Sequence, residues 1–270
     1  MDYQAMKEVA EICRNCSSSF IGSFCSSCGQ KKYDRSDFTL KGFVRDVAEE
    51  AFDYDSKIFS TLRLLIARPG KLTADFLNGK QKAYIAPVKL YLIIITLNFI
   101  VYSALDNHSP INVEYIMSMG SQDWFEKLVS QKQLESGMDK ATFFHEMNLK
   151  VSNVFSFALY LLIFVYPLIL KVYFYKSGKY YIEHLIFCLH FMSFGFLRDT
   201  LFLPLHMYNK DLGFYLSFIT TVLYLFFALK YVYPTSPVKK WINPLILYSC
   251  FLVLFSLTIL LSFTFTIIFY

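Results

Sequence analysis

Charge is scarce in this chain. Asp, Glu, Lys and Arg make up 17% of 270 residues, against 55% hydrophobic and 19% aromatic residues, and mean hydropathy is positive at +0.40. Uncharged runs as long as those found here exclude a single soluble domain. The first 86 residues lack an apolar core behind a basic start, and the first long apolar run begins only near Pro87. The expectation is therefore that no cleavable signal is present and that the N-terminal region stays in the cytoplasm. Strict alternation of apolar and polar residues is also missing, which excludes a spanning β-barrel and leaves helices. Familiar catalytic patterns are absent as well: no GxGxxG or Walker loop, no GxSxG elbow and no HExxH helix. The chain names no reaction, so a non-enzymatic role is expected.

Cysteine is sparse but concentrated. Four of the six form Cys13-x2-Cys16, an eight-residue gap, and Cys25-x2-Cys28. A CxxC turn lets two thiolates reach one ion, and two such turns complete a tetrahedral shell. Gly22 in the gap and Gly29 after the second pair suit the tight turns this requires. Two disulfides are the alternative, but they need an oxidising compartment, whereas cytoplasmic glutathione keeps thiols reduced. The spacing predicts a zinc ribbon over residues 1–35, with one structural zinc on Cys13, Cys16, Cys25 and Cys28; iron fits the same four thiolates. Cys188 and Cys250 lie in apolar segments and read as packing residues.

Five runs are near the ~20 residues that cross a hydrocarbon core as helix. They cover about 87–105, 151–170, 184–208, 212–229 and 244–270, the third interrupted by Arg198-Asp199. The predicted fold class is an all-α membrane protein of about five transmembrane helices over residues 87–270, with the ribbon in front. The connections alternate in charge. Residues 57–89 carry a net +6, 106–150 a net −3, 171–183 a net +2, 209–211 none and 230–243 a net +3. By the positive-inside rule this places the N-terminus in the cytoplasm and the C-terminus outside, in a multi-pass inner-membrane protein.

Between ribbon and first span, residues 36–86 read as short amphipathic helices. Phe38, Leu40, Phe43, Val44, Val47, Ala51 and Phe52 recur at helical spacing behind Asp37 as N-cap, followed by Ile58–Ala67 and a third stretch from Lys71 to about Asn78. Helices of this kind beside a bilayer lie in its interface, held here by Lys57, Arg63, Arg68, Lys71, Lys80 and Lys82. The alternative is a small cytoplasmic bundle packed on itself.

The same region carries a resemblance. Asp55-Ser56-Lys57, Thr61-Leu62, Arg68-Pro69-Gly70-Lys71, Phe76-Leu77, Gly79-Lys80, Tyr84, Pro87 and Leu90-Tyr91 resemble a bacterial membrane family known as a domain of unknown function, the 3667 family. Cys25-Ser26-Ser27-Cys28-Gly29-Gln30 is similar to that family's N-terminal knuckle, and Glu183-His184-Leu185, Phe187 and Leu189-His190 to a later motif. The resemblance implies a cysteine knuckle joined to several transmembrane helices and brings no activity with it. The chain departs from the family at Gln81 and Ala83, where basic residues are common.

Glu183, His184, His190, Arg198, Asp199 and His206 lie inside or beside the third span. Intramembrane ionisable residues are costly and often functional. At 100° per residue His190 falls almost opposite Asp199, so His184, His190, Arg198 and Asp199 form a joint polar site only with partners from other spans. In the alternative, Arg198-Asp199 mark a boundary and Thr200–Tyr208 is a re-entrant or interfacial stretch, broken by Pro204. Around the ribbon, Arg14, Lys31, Lys32 and Arg35 sit beside Asp34 and Asp37, which is thin for a phosphate-tracking surface. The expected partners are the lipid bilayer and a protein docked on the ribbon, not nucleic acid. The expected role is a scaffold, regulator or assembly factor. A small transporter using the third span, or a lipid-acting membrane enzyme, is the alternative.

Overall fold

The uncharged runs become helices, because in hydrocarbon a backbone meets its own N–H and C=O groups only within the segment. The structure, a computed structural model, describes residues 10–34, 39, 57–103, 113, 117, 123–233 and 236–269. The amphipathic repeat from Phe38 to Phe52 and its Asp37 cap lie outside the described residues, Thr39 apart. In chain order the elements are β1 (Glu11–Ile12), β2 (Ser19–Phe20), α1 (Ile58–Ala67), α2 (Lys71–Leu77), α3 (Pro87–Ser103), α4 (Asp123–Ser136), α5 (Lys140–Tyr173), α6 (Tyr181–Tyr208), α7 (Lys210–Val232) and α8 (Pro237–Ile268), with a 3-10 turn at Tyr175–Ser177. β1 and β2 pair antiparallel, Glu11 opposite Phe20 and Ile12 opposite Ser19.

Among the described residues, α6, α7 and α8 are long and apolar enough to cross a membrane. The α5 run passes only as two pieces bent by 41° around residue 160, and α3 is shorter at 17 residues. Length and composition thus support three spans, or four with α5, and do not reach the five expected. Two boundaries also move. α5 starts at Lys140, not at 151, because Asp139 accepts from Thr142 N at 3.1 Å and the Glu146–Lys150 ion pair sits on a helical i,i+4 spacing. A charged turn ends an apolar run without ending a helix. α6 is continuous through Pro204 and Arg198-Asp199, so the segment is not broken at Pro204.

The chain divides into two units, residues 1–99 with 167–248, and residues 100–166 with 249–270. In the second unit, Val129, Phe143, Phe144, Met147, Val151, Phe155, Phe263 and Ile267 form a buried core. In the first, α6 is the central helix, buried continuously from Ile182 to Ser193. Its start is capped by Glu183, which accepts from Tyr180 N at 2.8 Å.

The α1–α2 segment packs on that unit. Thr61 and Leu65 of α1 and Leu72, Thr73 and Leu77 of α2 are buried, and Ile85 is fully buried. The turn between the helices has Gly70 at φ +81, and a Cβ there would lie 2.5 Å from the Ala228 carbonyl oxygen on α7. Only a residue without a side chain allows this approach. The opposite side of α1 leaves Phe59, Arg63 and Ile66 exposed.

A polar staple closes the α6–α7 hairpin. Arg198 Nη1 donates to the Ser217 carbonyl at 3.0 Å and to Thr221 Oγ1, while Nε and Nη2 donate to Asp199 Oδ1 at 3.0 and 2.7 Å. An ideal helix separates adjacent side chains by about 100°, which turns Asp199 away from Arg198. The long guanidinium stem curls back and satisfies both. Asn209 begins α7 by accepting from Leu212 N at 3.0 Å.

Two stability tests follow from these contacts. Gly70→Ala should lower the thermal midpoint of the purified protein well below that of Gly137→Ala, since Gly137 has a similar φ of +66 but open space around it. The left-handed backbone costs both variants about 1–2 kcal/mol, and displacing α7 adds about 1–3 kcal/mol at Gly70 alone. Equal losses would refute the close approach. Arg198→Ala should cost about 2–3 kcal/mol, less than the ~3–5 kcal/mol for breaking a fully buried pair because the Asp199 side chain keeps 37% exposure. Lys210→Ala, at the exposed start of α7, should change stability little, and equal yields of the two variants would show that the staple is not structural.

Candidate functional site

The four cysteines come together. Their Sγ atoms all lie within 4.8 Å of one another, with Cys13 3.6 Å from Cys28 and Cys16 3.6 Å from Cys25. Four thiolates at ~2.3 Å from a tetrahedral ion stand roughly 3.8 Å apart, so the donor set fits a metal. Two matching turns build it. In each, the carbonyl of the first cysteine accepts from the residue four positions on, Ser17 N to Cys13 O at 2.8 Å and Gly29 N to Cys25 O at 2.9 Å. In each, the first cysteine's own N–H donates five positions on, to Ser18 O and to Gln30 O, both at 2.8 Å. The residue after each second cysteine is left-handed, Ser17 at φ 62 and Gly29 at φ 69, which is why glycine suits the second turn.

Burial separates the thiols. Desolvation pushes Cys13 up to about 11. The Ser18 hydroxyl and then the Ser18 N–H, both donating to Cys16, bring it down to about 6. Phe20 is the small buried apolar element beside Cys13 and Cys25.

The ribbon is joined to the chain's own α2–α3 connection. Gln30 Oε1 accepts from Gln81 N at 3.1 Å and Lys82 N at 2.9 Å, while its Nε2 donates to Lys31 O and Gln81 Oε1. Tyr33 OH donates to Leu77 O at 2.9 Å, and Arg14 Nη1 to Asn78 O at 3.3 Å. Those carbonyls belong to the open end of α2, where a cation and hydroxyl donors are favoured. The Arg14 guanidinium lies over the Tyr33 ring at 4.0 Å. Gly79, at φ +91, forms the floor, since a Cβ there would come 2.6 Å from Tyr33 Cδ2. A cavity of about 50 Å³ between Cys13, Arg14, Gln30, Tyr33 and Gly79 has room for a few waters and not for a substrate.

His184 and His190 of α6 have different neighbours, while Arg198 and Asp199 pair with each other. His184 Nδ1 meets Tyr233 OH at 2.6 Å, and Tyr233 stacks on Phe174 with centroids 4.1 Å apart. His190 Nδ1 meets Thr73 Oγ1 of α2 at 2.8 Å, with the Phe76 ring edge-on at 6.5 Å. Arg198 and Asp199 form the hairpin staple, and His206 Nε2 reaches Ser217 Oγ at 3.3 Å. The structure does not bring His184, His190, Arg198 and Asp199 to one point. Nε2 of His184 and of His190 is buried with no hydrogen-bond partner among the described residues.

The basic set differs in exposure. Arg63 and Arg68 are exposed, and Lys57, Lys80 and Lys82 are half-buried. Lys71 pairs with Asp75 at 3.0 Å, and Asp75 also accepts from Tyr84 OH at 2.8 Å. Burial, and then that carboxylate, pushes Tyr84 up to about 12.

Sequence reading missed Gln30, Tyr33 and Arg14 as the junction, Thr73 and Tyr233 as histidine partners, and Asn98, whose Nδ2 donates to Thr200 Oγ1 at 2.9 Å. Only Gln30 carried a signal, as the glutamine directly after the second knuckle.

No curated protein and no solved structure matches the chain. A family model does match, over residues 55–99, which include α1, α2 and most of α3. The chain thus carries, in that segment, the match to the family described as "Protein of unknown function (DUF3667)", the family its sequence resembles.

Proposed function

We propose that this is a multi-pass inner-membrane protein whose cytoplasmic zinc ribbon docks a protein partner, and that it acts as a scaffold, regulator or assembly factor. The observation that carries the reading is the ribbon's surface. Ile12, Ile21 and Phe24 are 74%, 59% and 61% exposed on a module with one buried aromatic ring. Three exposed large apolar side chains on so small a module are what supports reading it as an interaction site.

One structural zinc on Cys13, Cys16, Cys25 and Cys28 holds the module, whose own apolar core is too small to fold it. Lipid is the second partner. Phe59 and Ile66 on the exposed side of α1, beside Arg63 and Arg68, suit an anionic interface. Charge alternation supports a ribbon on the inside and a C-terminal end outside. The α6 residues support a structural class over transport, because His190 is tied to α2 and Arg198 and His206 to α7.

Metal analysis of the purified protein should find close to one zinc per chain, lost in Cys16→Ser and Cys25→Ser. A content near zero, with paired disulfides in freshly lysed cells, would overturn the metal assignment. A photo-crosslinker placed at Ile21 in the full-length protein should yield one discrete protein adduct in native membranes, reduced at least tenfold by Phe24→Ser. Adducts to lipid alone, together with solute flux in proteoliposomes, would replace the scaffold reading with transport.

A further inference from the structure

The two cysteine turns do more than meet a metal, because each also supplies a side chain to the junction with residues 77–82. Arg14 lies inside the first CxxC, and it reaches Asn78 O. Gln30 closes the second turn through its own carbonyl, which accepts from Cys25 N at 2.8 Å, while its side chain holds Gln81 N and Lys82 N. Gln30 is only 4% exposed, so an amide that loses these partners would stay desolvated and unpaired.

The other end of the same short helix is set in the membrane unit. Thr73 of α2 meets His190 of α6, and the Gly70 turn lies on α7. With seven residues, α2 is far too short to hold its own conformation. Its position is therefore decided by what grips it at both ends. One grip is packing against α6 and α7, and the other is a ribbon whose fold depends on its ion.

We propose that the ribbon is a metal-dependent clamp on α2, so that metal loading sets how firmly residues 71–86 pack against α6 and α7. The proposal rests on the reading of the four cysteines as a zinc site. When the ion leaves, the two turns lose their common anchor, Arg14 and Gln30 no longer face residues 77–82 together, and the carbonyls of Leu77 and Asn78 open to water. The His190–Thr73 contact then depends on α2 alone. Loss of metal at the ribbon is in this way felt inside the membrane unit without any ligand entering it.

Amide hydrogen exchange on the full-length protein in lipid nanodiscs tests this, comparing zinc-loaded and chelated samples. Chelation should speed exchange of residues 71–86 at least tenfold and leave residues 249–268 unchanged. Gln30→Ala should keep its zinc but show fast exchange in 71–86 already, with no further response to chelator. Tyr33→Phe, a milder change, should loosen only the Leu77–Lys82 stretch, by several-fold. Unchanged exchange in wild-type protein that demonstrably loses bound zinc would overturn the clamp alone. A Gln30→Ala protein that responds to chelator as wild type does would overturn it too. Protein that never binds zinc would overturn both the clamp and the metal site beneath it, and the metal content tells the two failures apart.

Discussion

Because residue 70 has no side chain, the turn between α1 and α2 can lie directly on the backbone of α7. Much of the first unit follows from that approach. It brings Leu72, Thr73 and Leu77 into the interior, which in turn puts the Thr73 hydroxyl at His190 and leaves the end of α2 facing the ribbon. Close backbone approach trades side-chain burial for precise placement, and it tolerates no added carbon. The family-matched segment is therefore an integral piece of the helical unit and not a separate layer beside it. Its exposed side, with Phe59, Arg63 and Ile66, remains open to whatever lies outside.

Scarcity of charge has its structural counterpart in how the few polar side chains are treated. A polar group in a low-dielectric interior costs heavily unless it is hydrogen-bonded. His184 takes Tyr233, His190 takes Thr73, Asn98 takes Thr200 and Arg198 takes three acceptors. Hydroxyls without a neighbour on another helix return to their own backbone four residues back, as Ser193, Thr258, Ser262 and Thr266 do. The result is a set of separate inter-helix ties. Such ties fix which helices are neighbours, which apolar contact alone specifies poorly where lipid is as apolar as the side chains.

The ribbon obeys a different constraint. It has too few residues to bury a core, so its shape is set by two repeated turns that bring four thiols within reach of one another. Its attachment is equally economical: one arginine, one glutamine and one tyrosine meet the unsatisfied end of a short helix and the following turn. Gln81, where the resembled family often carries a basic residue, is one of the groups that Gln30 touches.

Features decided within a few neighbouring residues could be read from the chain. The CxxC spacing brought four sulfurs together, Gly29 took the left-handed turn, and each apolar run became a helix at close to its expected place. Helix ends were less legible: α5 runs eleven residues further toward the N-terminus than its apolar stretch, since charge ends a hydrophobic pattern without ending a hydrogen-bond ladder. The polar partners were not legible at all. Thr73 and His190 stand 117 positions apart, His184 and Tyr233 49, and nothing in either residue's surroundings names the other. The sequence by itself determined the cysteine turns, the helical segments and their apolar character, because spacing and hydropathy act locally. Tertiary structure alone decided that Gly70 seats α2, that α2 lies between ribbon and α6, and which partner each ionisable residue takes, because a desolvated polar group bonds with whatever packing brings within reach.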